Sequence, residues 1–92
     1  MIKSLSGKLA NELHSGRCPK ELETVRTVAE RKLQFVNAAA TLDDLRTPPG
    51  NRLESLKGNR AGQYSIKVND QYRICFAWSN GDAYDVEIVD YH

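Results

Sequence analysis

The chain has 92 residues, 40% of them hydrophobic and 27% charged, with a formal net charge of +1. This length predicts a single domain over residues 1–92 that buries roughly 60–65% of the surface its unfolded form exposes. The composition excludes a disordered chain, two cysteines exclude a disulfide framework, and no stretch has the length of a membrane span. The opening residues, MIKSLSGKLANELHSG, hold no apolar run of signal-peptide length, so the expected compartment is the cytoplasm.

Ile2 to Leu5 reads as a short strand. Lys8 to His14 reads as a short helix stopped by Gly16. Pro19 suits the first turn of a long helix. In it Leu22, Val25, Ala29, Leu33, Val36 and Ala40 recur at spacings of three and four, a single apolar stripe with Arg26, Glu30, Lys32 and Asn37 largely off it. The stripe is core-forming and carries no chemistry. Thr41-Leu42-Asp43-Asp44 has the form of a capping box, with Asp where Glu or Gln is usual, and restarts a short helix through Arg46. Thr47-Pro48-Pro49-Gly50 cannot continue a helix and divides a helical half from a strand half.

Beyond that break the apolar period changes to two. Arg52 to Leu56 reads as a strand. Tyr64, Ile66 and Val68 alternate with Gln63, Ser65 and Lys67; Tyr72, Ile74, Phe76 and Trp78 with Arg73, Cys75 and Ala77; Tyr84, Val86 and Ile88 with Asp85, Glu87 and Val89. Asn69-Asp70-Gln71 and Ser79-Asn80-Gly81-Asp82 are hairpin turns. The fold class is therefore α+β, with N-terminal helices packed on one face of a small antiparallel sheet. The alternation leaves Arg73 on the opposite, open face. Asp90 keeps the parity of Ile88, and Tyr91 that of Val89, which predicts Tyr91 on the open face near Arg73.

Charge is unevenly distributed. From Arg46 to Arg73 six bases (Arg46, Arg52, Lys57, Arg60, Lys67, Arg73) stand against two acids, Glu54 and Asp70. From Ile74 onward there are four acids and neither Lys nor Arg. A basic segment folded against an acidic one presents a positive face that attracts phosphates, or a solvated surface of paired charges. Cys18 and Cys75 read as small hydrophobes or incidental thiols, and His14 as structural.

The polar residues that combine into chemistry are Glu54, Lys57, Arg60, Arg73, Asp90, Tyr91 and His92. They supply cations for a phosphate, and a carboxylate, a phenol and an imidazole for proton transfer. This set suits metal-independent RNA cleavage, in which the ribose 2′-hydroxyl attacks the neighbouring phosphorus. A base takes the hydroxyl proton, an acid protonates the leaving 5′-oxygen, and cations stabilise the developing charge. No cofactor is called for, and no His or Cys cluster has metal-ligand spacing.

The segment NRLESLKGNRAGQYSIKVNDQYRICFAWSNGDAYDVEIVDYH, with the Pro48-Pro49-Gly50 before it, resembles the C-terminal half of HigB-type toxins of the RelE/ParE superfamily. The resemblance lies in the L-K-G-x-R turn, the S-I-x-V-N-x-Q-Y-R-I strand pair and the final D-Y-H. It implies a RelE-like toxin of a type II toxin–antitoxin system that cuts mRNA on translating ribosomes, at the A site. It also implies neutralisation by a HigA-type helix-turn-helix antitoxin, with operator DNA reached only through the antitoxin complex, and no membrane partner.

Carried over by position, Lys57 and Arg73 match basic positions that hold the scissile phosphate. Arg60, in the same turn as Lys57, either contacts RNA or fixes the turn. Tyr91 stacks on a base or helps in proton transfer, and His92 is the natural general acid or base. Asp90 orients His92, binds a cation or contributes directly. Glu54 departs from the family: some members carry histidine at this point of the L-x-x-L-K-G segment. A carboxylate can act as a base, but ionised it cannot donate a proton. The competing expectations are a ParE-like toxin that binds DNA gyrase without nuclease chemistry, and an inert relative that only binds its antitoxin.

Overall fold

The computed structural model describes residues 1–90. Helix α1 spans Lys8–His14 and helix α2 spans Arg26–Ala38, preceded by a 3-10 segment at Lys20–Val25. Four strands follow, β1 Glu54–Ser55, β2 Gln63–Lys67, β3 Tyr72–Ser79 and β4 Asp82–Asp90, in one antiparallel sheet of order β1-β2-β3-β4. This is the expected α+β arrangement, with helices on one sheet face.

The apolar stripe of the helical half packs as its spacing predicts. Leu22, Ala29, Leu33 and Val36 are buried against Ile66, Ile74, Phe76, Val86 and Ile88 of the sheet. Two details differ. The long helix expected from Pro19 begins as a 3-10 segment and becomes α-helical only at Arg26. It ends at Ala38, and because Ala39 is extended (φ −64°, ψ 130°), Ala39 is buried in place of Ala40. Lys32, expected on the solvated side, is buried as well. Its Nζ donates to Oδ1 of the fully buried Asn51, whose Nδ2 donates to the carbonyls of Leu45 (3.1 Å) and Thr47 (3.3 Å). One side chain thus ties α2 to the loop that enters the sheet.

The capping box forms. Asp44 N–H donates to Thr41 Oγ1 at 3.3 Å, and Asp44 Oδ2 accepts from the backbone N–H groups of Thr41 and Ala40, both at 3.0 Å. The strand expected over 52–56 shrinks to Glu54–Ser55, because Arg52 takes a left-handed conformation (φ 46°) and 3-10 segments flank it at Pro49–Asn51 and Gly58–Arg60. Ile2 and Leu5 make only isolated parallel bridges, to Ala83 and Val86. They line the β4 edge that would otherwise offer unpaired backbone groups.

The β3–β4 hairpin carries the largest departure from simple alternation. Asn80 and Gly81 both have positive φ, the conformation that a two-residue hairpin turn requires. Ala77 pairs with Tyr84 but Cys75 pairs with Glu87, so β4 holds one extra residue. Asp85 absorbs it at φ 51°. Ala83 and Val86 therefore both point into the core, and Tyr84, expected on the helix side, is turned to the open face.

Candidate active site

Cross-strand register arranges the open face in three rows. Lys67, Arg73 and Val89 form one; Glu54, Ser65, Cys75 and Glu87 the next; Gln63, Ala77 and Tyr84 the third. The residues expected to hold phosphate come to this face from β3 and from the turn between β1 and β2.

Arg73 is nearly buried, at 7% exposure. A guanidinium in that position is costly unless its donors are met. Its Nε donates to Ser65 Oγ at 2.8 Å, and one terminal nitrogen donates to the Arg52 carbonyl at 2.7 Å and lies 3.9 Å from Glu54 Oε2. The left-handed turn at Arg52 is what aims that carbonyl at the guanidinium. Arg73 is thus a fixed cation, its plane set by a hydroxyl and a carbonyl, with a half-exposed carboxylate at its rim.

Lys57 and Arg60 lie in the turn after β1. With Glu54, Ser55 and Leu56 they line an open cleft of about 370 Å³. Lys57 is exposed and, among the described residues, has no ion-pair partner. Arg60 is held: one terminal nitrogen donates to Gln63 Oε1 at 3.1 Å and the other to Glu87 Oε1 at 3.0 Å. Since Gln63 is on β2 and Glu87 on β4, the Arg60 side chain crosses above β3. Cys75 lies in the same row as Glu87 and has no exposed surface, and burial raises its thiol pKa.

Asp90 sits opposite Tyr72, on the helix side of the sheet, and its Oδ2 accepts from Gln71 Nε2 at 3.1 Å. Its register therefore separates it from the face that carries Arg73, in line with the parity read from the strand. Tyr91 and His92 lie outside the described residues. His14 borders a different hollow, between α1 and α2, lined also by Ile2, Leu33 and Asn37. Among the described residues no group of three or more His, Cys, Asp or Glu side chains is placed to hold a metal ion.

Three elements of this face were not legible as site residues. Ser65 looked like the polar phase of an alternating strand, yet it is fully buried and orients Arg73. Glu87 carried only the signal of an acid inside an apolar strand, and its partner is 27 residues away. Tyr84 reached the face through the bulge. The geometry supplies a fixed cation (Arg73), an exposed cation (Lys57) and a second fixed cation (Arg60) near the Glu54 carboxylate, an arrangement that can bind a phosphate and accept a proton beside it.

A profile described as RelE-like toxin of type II toxin–antitoxin system HigB matches residues 9–92 of the chain. Toxin HigB-1 of Vibrio cholerae is 55% identical over 53 residues, covering 58% of this chain and 56% of that protein. Endoribonuclease HigB of Proteus vulgaris is 39% identical over 61 residues, covering 66% of this chain and 65% of that protein. The matched segments thus span between about half and two thirds of the length of these relatives. Among solved structures, a heterotetrameric YoeB–YefM toxin–antitoxin complex from Staphylococcus aureus superposes with a TM-score of 0.58 at 17% identity, covering 100% of this chain and 98% of that one. A YoeB dimer from the same organism gives 0.52 at 18% identity, covering 99% and 94%. At such identities the likeness is one of fold.

Proposed function

Since the chain belongs to the HigB-like toxins, RelE-like toxins of type II toxin–antitoxin systems, we propose that it is an endoribonuclease that cuts translated mRNA. The observation that carries this reading is the convergence of Lys57, Arg60 and Arg73 with Glu54 on the open face of the sheet. The kinship with a protein named Endoribonuclease HigB supports it.

In the proposed reaction the ribose 2′-oxygen attacks the adjacent phosphorus and the bond from phosphorus to the 5′-oxygen breaks. The products are a 2′,3′-cyclic phosphate and a 5′-hydroxyl. Arg73 and Lys57 hold the phosphate oxygens and stabilise their added charge. Glu54, beside the Arg73 guanidinium, accepts the 2′-hydroxyl proton. His92, with Tyr91 beside it in sequence and Asp90 before them, supplies the proton to the leaving oxygen. Tyr91 also offers a ring for a base.

The set of groups is sparse, and the ribosomal A site completes it by holding mRNA with the 2′-hydroxyl in line, a contribution of several kcal/mol in general. The chain acts as a single toxin domain in the cytoplasm. A HigA-type helix-turn-helix antitoxin neutralises it and links it to operator DNA.

The test is primer extension on a defined mRNA in a reconstituted translation reaction, with and without ribosomes. The native chain should cut within codons only when ribosomes are present. Lys57→Ala, an exposed change that leaves the fold intact, and His92→Gln should each lower cutting by about 10²-fold or more. Growth arrest in cells without any cut from the native chain would discard the nuclease and favour a toxin that binds another target, such as DNA gyrase.

A further inference from the structure

Among the described residues Tyr84 is, with Met1, one of two large apolar side chains that the fold leaves exposed, at 36%. A tyrosine in a strand with alternating apolar residues is ordinarily spent on the core. Here the extra residue of β4 reverses it: Asp85, at φ 51°, takes up the bulge, and Tyr84 leaves the side of Ala83 and Val86 for the open face. Its cross-strand neighbour is Ala77, a small residue, and beyond that Gln63, which accepts from Arg60. The next β4 residue on the same face is Glu87, the other partner of Arg60. An aromatic ring, a low floor and a guanidinium held at two points thus stand together, two rows from Arg73.

We infer that Tyr84 is the stacking platform for a base that flanks the cleavage site, with Arg60 taking the phosphate between that base and the scissile one. The inference rests on the nuclease reading and extends it to a second nucleotide subsite. The chemistry fits a single strand of RNA: aromatic rings accept any base face, and a nearby guanidinium meets the backbone. Two of the acids around Tyr84 are occupied elsewhere, and the third holds Arg60. Asp82 Oδ1 lies 3.3 Å from the Met1 amino nitrogen, Asp85 exchanges hydrogen bonds with Ser4, and Glu87 holds Arg60. Glu87 is the group that an incoming phosphate displaces. Because the stack reads a base face rather than its edges, the subsite grades cut sites by stacking strength and accepts all four bases.

The experiment has two arms, each on the native chain, Tyr84→Ser, Tyr84→Phe and Arg60→Gln. One measures binding of a short single-stranded RNA with 2′-O-methyl riboses, which cannot be cut, across a salt series. The other maps cuts on a defined mRNA in the reconstituted translation reaction. Tyr84→Ser should bind roughly tenfold more weakly and redistribute the cuts, whereas Tyr84→Phe should match the native chain in both. Arg60→Gln should flatten the salt dependence by about 0.7 in slope, and Tyr84→Ser should leave that slope unchanged. Tyr84→Ser with native binding and a native cut pattern would overturn the subsite. If the native chain cuts nothing yet binds the oligonucleotide through Tyr84, the nuclease reading fails and takes the cleavage-flanking role with it, while the stacking of RNA on Tyr84 stands. If it neither binds nor cuts, both fall.

Discussion

Arg73 is fixed more firmly than a residue whose only task is to meet a phosphate. Ser65 accepts from its Nε, and the Arg52 carbonyl accepts from a terminal nitrogen. Ser65→Ala leaves a buried donor unmatched, so the variant should lose about 1–3 kcal/mol of stability in urea denaturation. Its cutting should fall as well, because the guanidinium loses its orientation. Glu87 makes the opposite prediction. Its bridge to Arg60 is part-exposed, the kind of ion pair worth less than about 1 kcal/mol. Glu87→Gln releases Arg60 and should tighten binding of uncleavable RNA by about two- to fivefold. Weaker binding would instead make Glu87 a holder of Arg60 rather than a competitor of phosphate. Lys57, Arg60 and Arg73 could be singled out by the L-K-G-x-R turn and the Q-Y-R-I strand that resemble the family, since the basic segment alone holds six bases. Ser65 and Glu87 could not, since a serine between two strand residues says nothing of the arginine on the next strand.

Two short elements govern how the face is presented. The bulge in β4 depends on one residue in the left-handed region, which a β-branched side chain occupies poorly. Asp85→Val should cost about 1–2 kcal/mol, and Asp85→Gly should cost far less, as read by thermal unfolding. Asp85→Val should also impair RNA binding in step with Tyr84→Ser. The capping box sets the turn out of the helical half. Thr41→Ala should lower stability by about 1 kcal/mol. The Asp44 carboxyl has a pKa below its ordinary value because the backbone N–H groups of Thr41 and Ala40 donate to it. A depressed carboxyl contributes stability that is present above its unfolded pKa and lost as pH falls through the folded one. Asp44→Asn should therefore melt lower than the native chain at neutral pH, and the two should converge as pH falls below the ordinary carboxylate range.

On the scale of the molecule, the Lys32–Asn51 contact joins the helical layer to the sheet. Asn51 is fully buried and bonds both the α2 lysine and the loop carbonyls that precede Arg52. Asn51→Ala strands a buried ammonium and two carbonyls, a loss of about 3 kcal/mol or more in denaturant unfolding. Burial, and then the neighbouring charge of Arg31, lowers the Lys32 pKa from 10.5. In the interval between the lowered value and the ordinary one the unfolded chain holds more protons than the folded one, so stability rises with pH there. Lys32→Met should lack that rise when both proteins are unfolded in denaturant across the alkaline range.

Local pattern by itself determined α1 to the residue, the apolar face of α2, the capping box, both hairpin turns and the α+β class. Each depends only on neighbours within about one turn or one strand. The cations were visible as well, because charge is a property of composition. Tertiary structure alone decided what those cations do. Packing of the sheet with its flanking turns chose Ser65 and Arg52 as the partners of Arg73 and Glu87 as the partner of Arg60, over 8 to 27 residues of chain. A bulge became detectable only once β3 and β4 were in register, and it moved Tyr84 from the core to the open face. Lys32 is buried because Asn51 receives it, a contact 19 residues apart that no helical periodicity encodes. Periodicity reports which side of an element is apolar; the identity of what faces it is set by packing between elements, and the chemistry of the face follows from that packing.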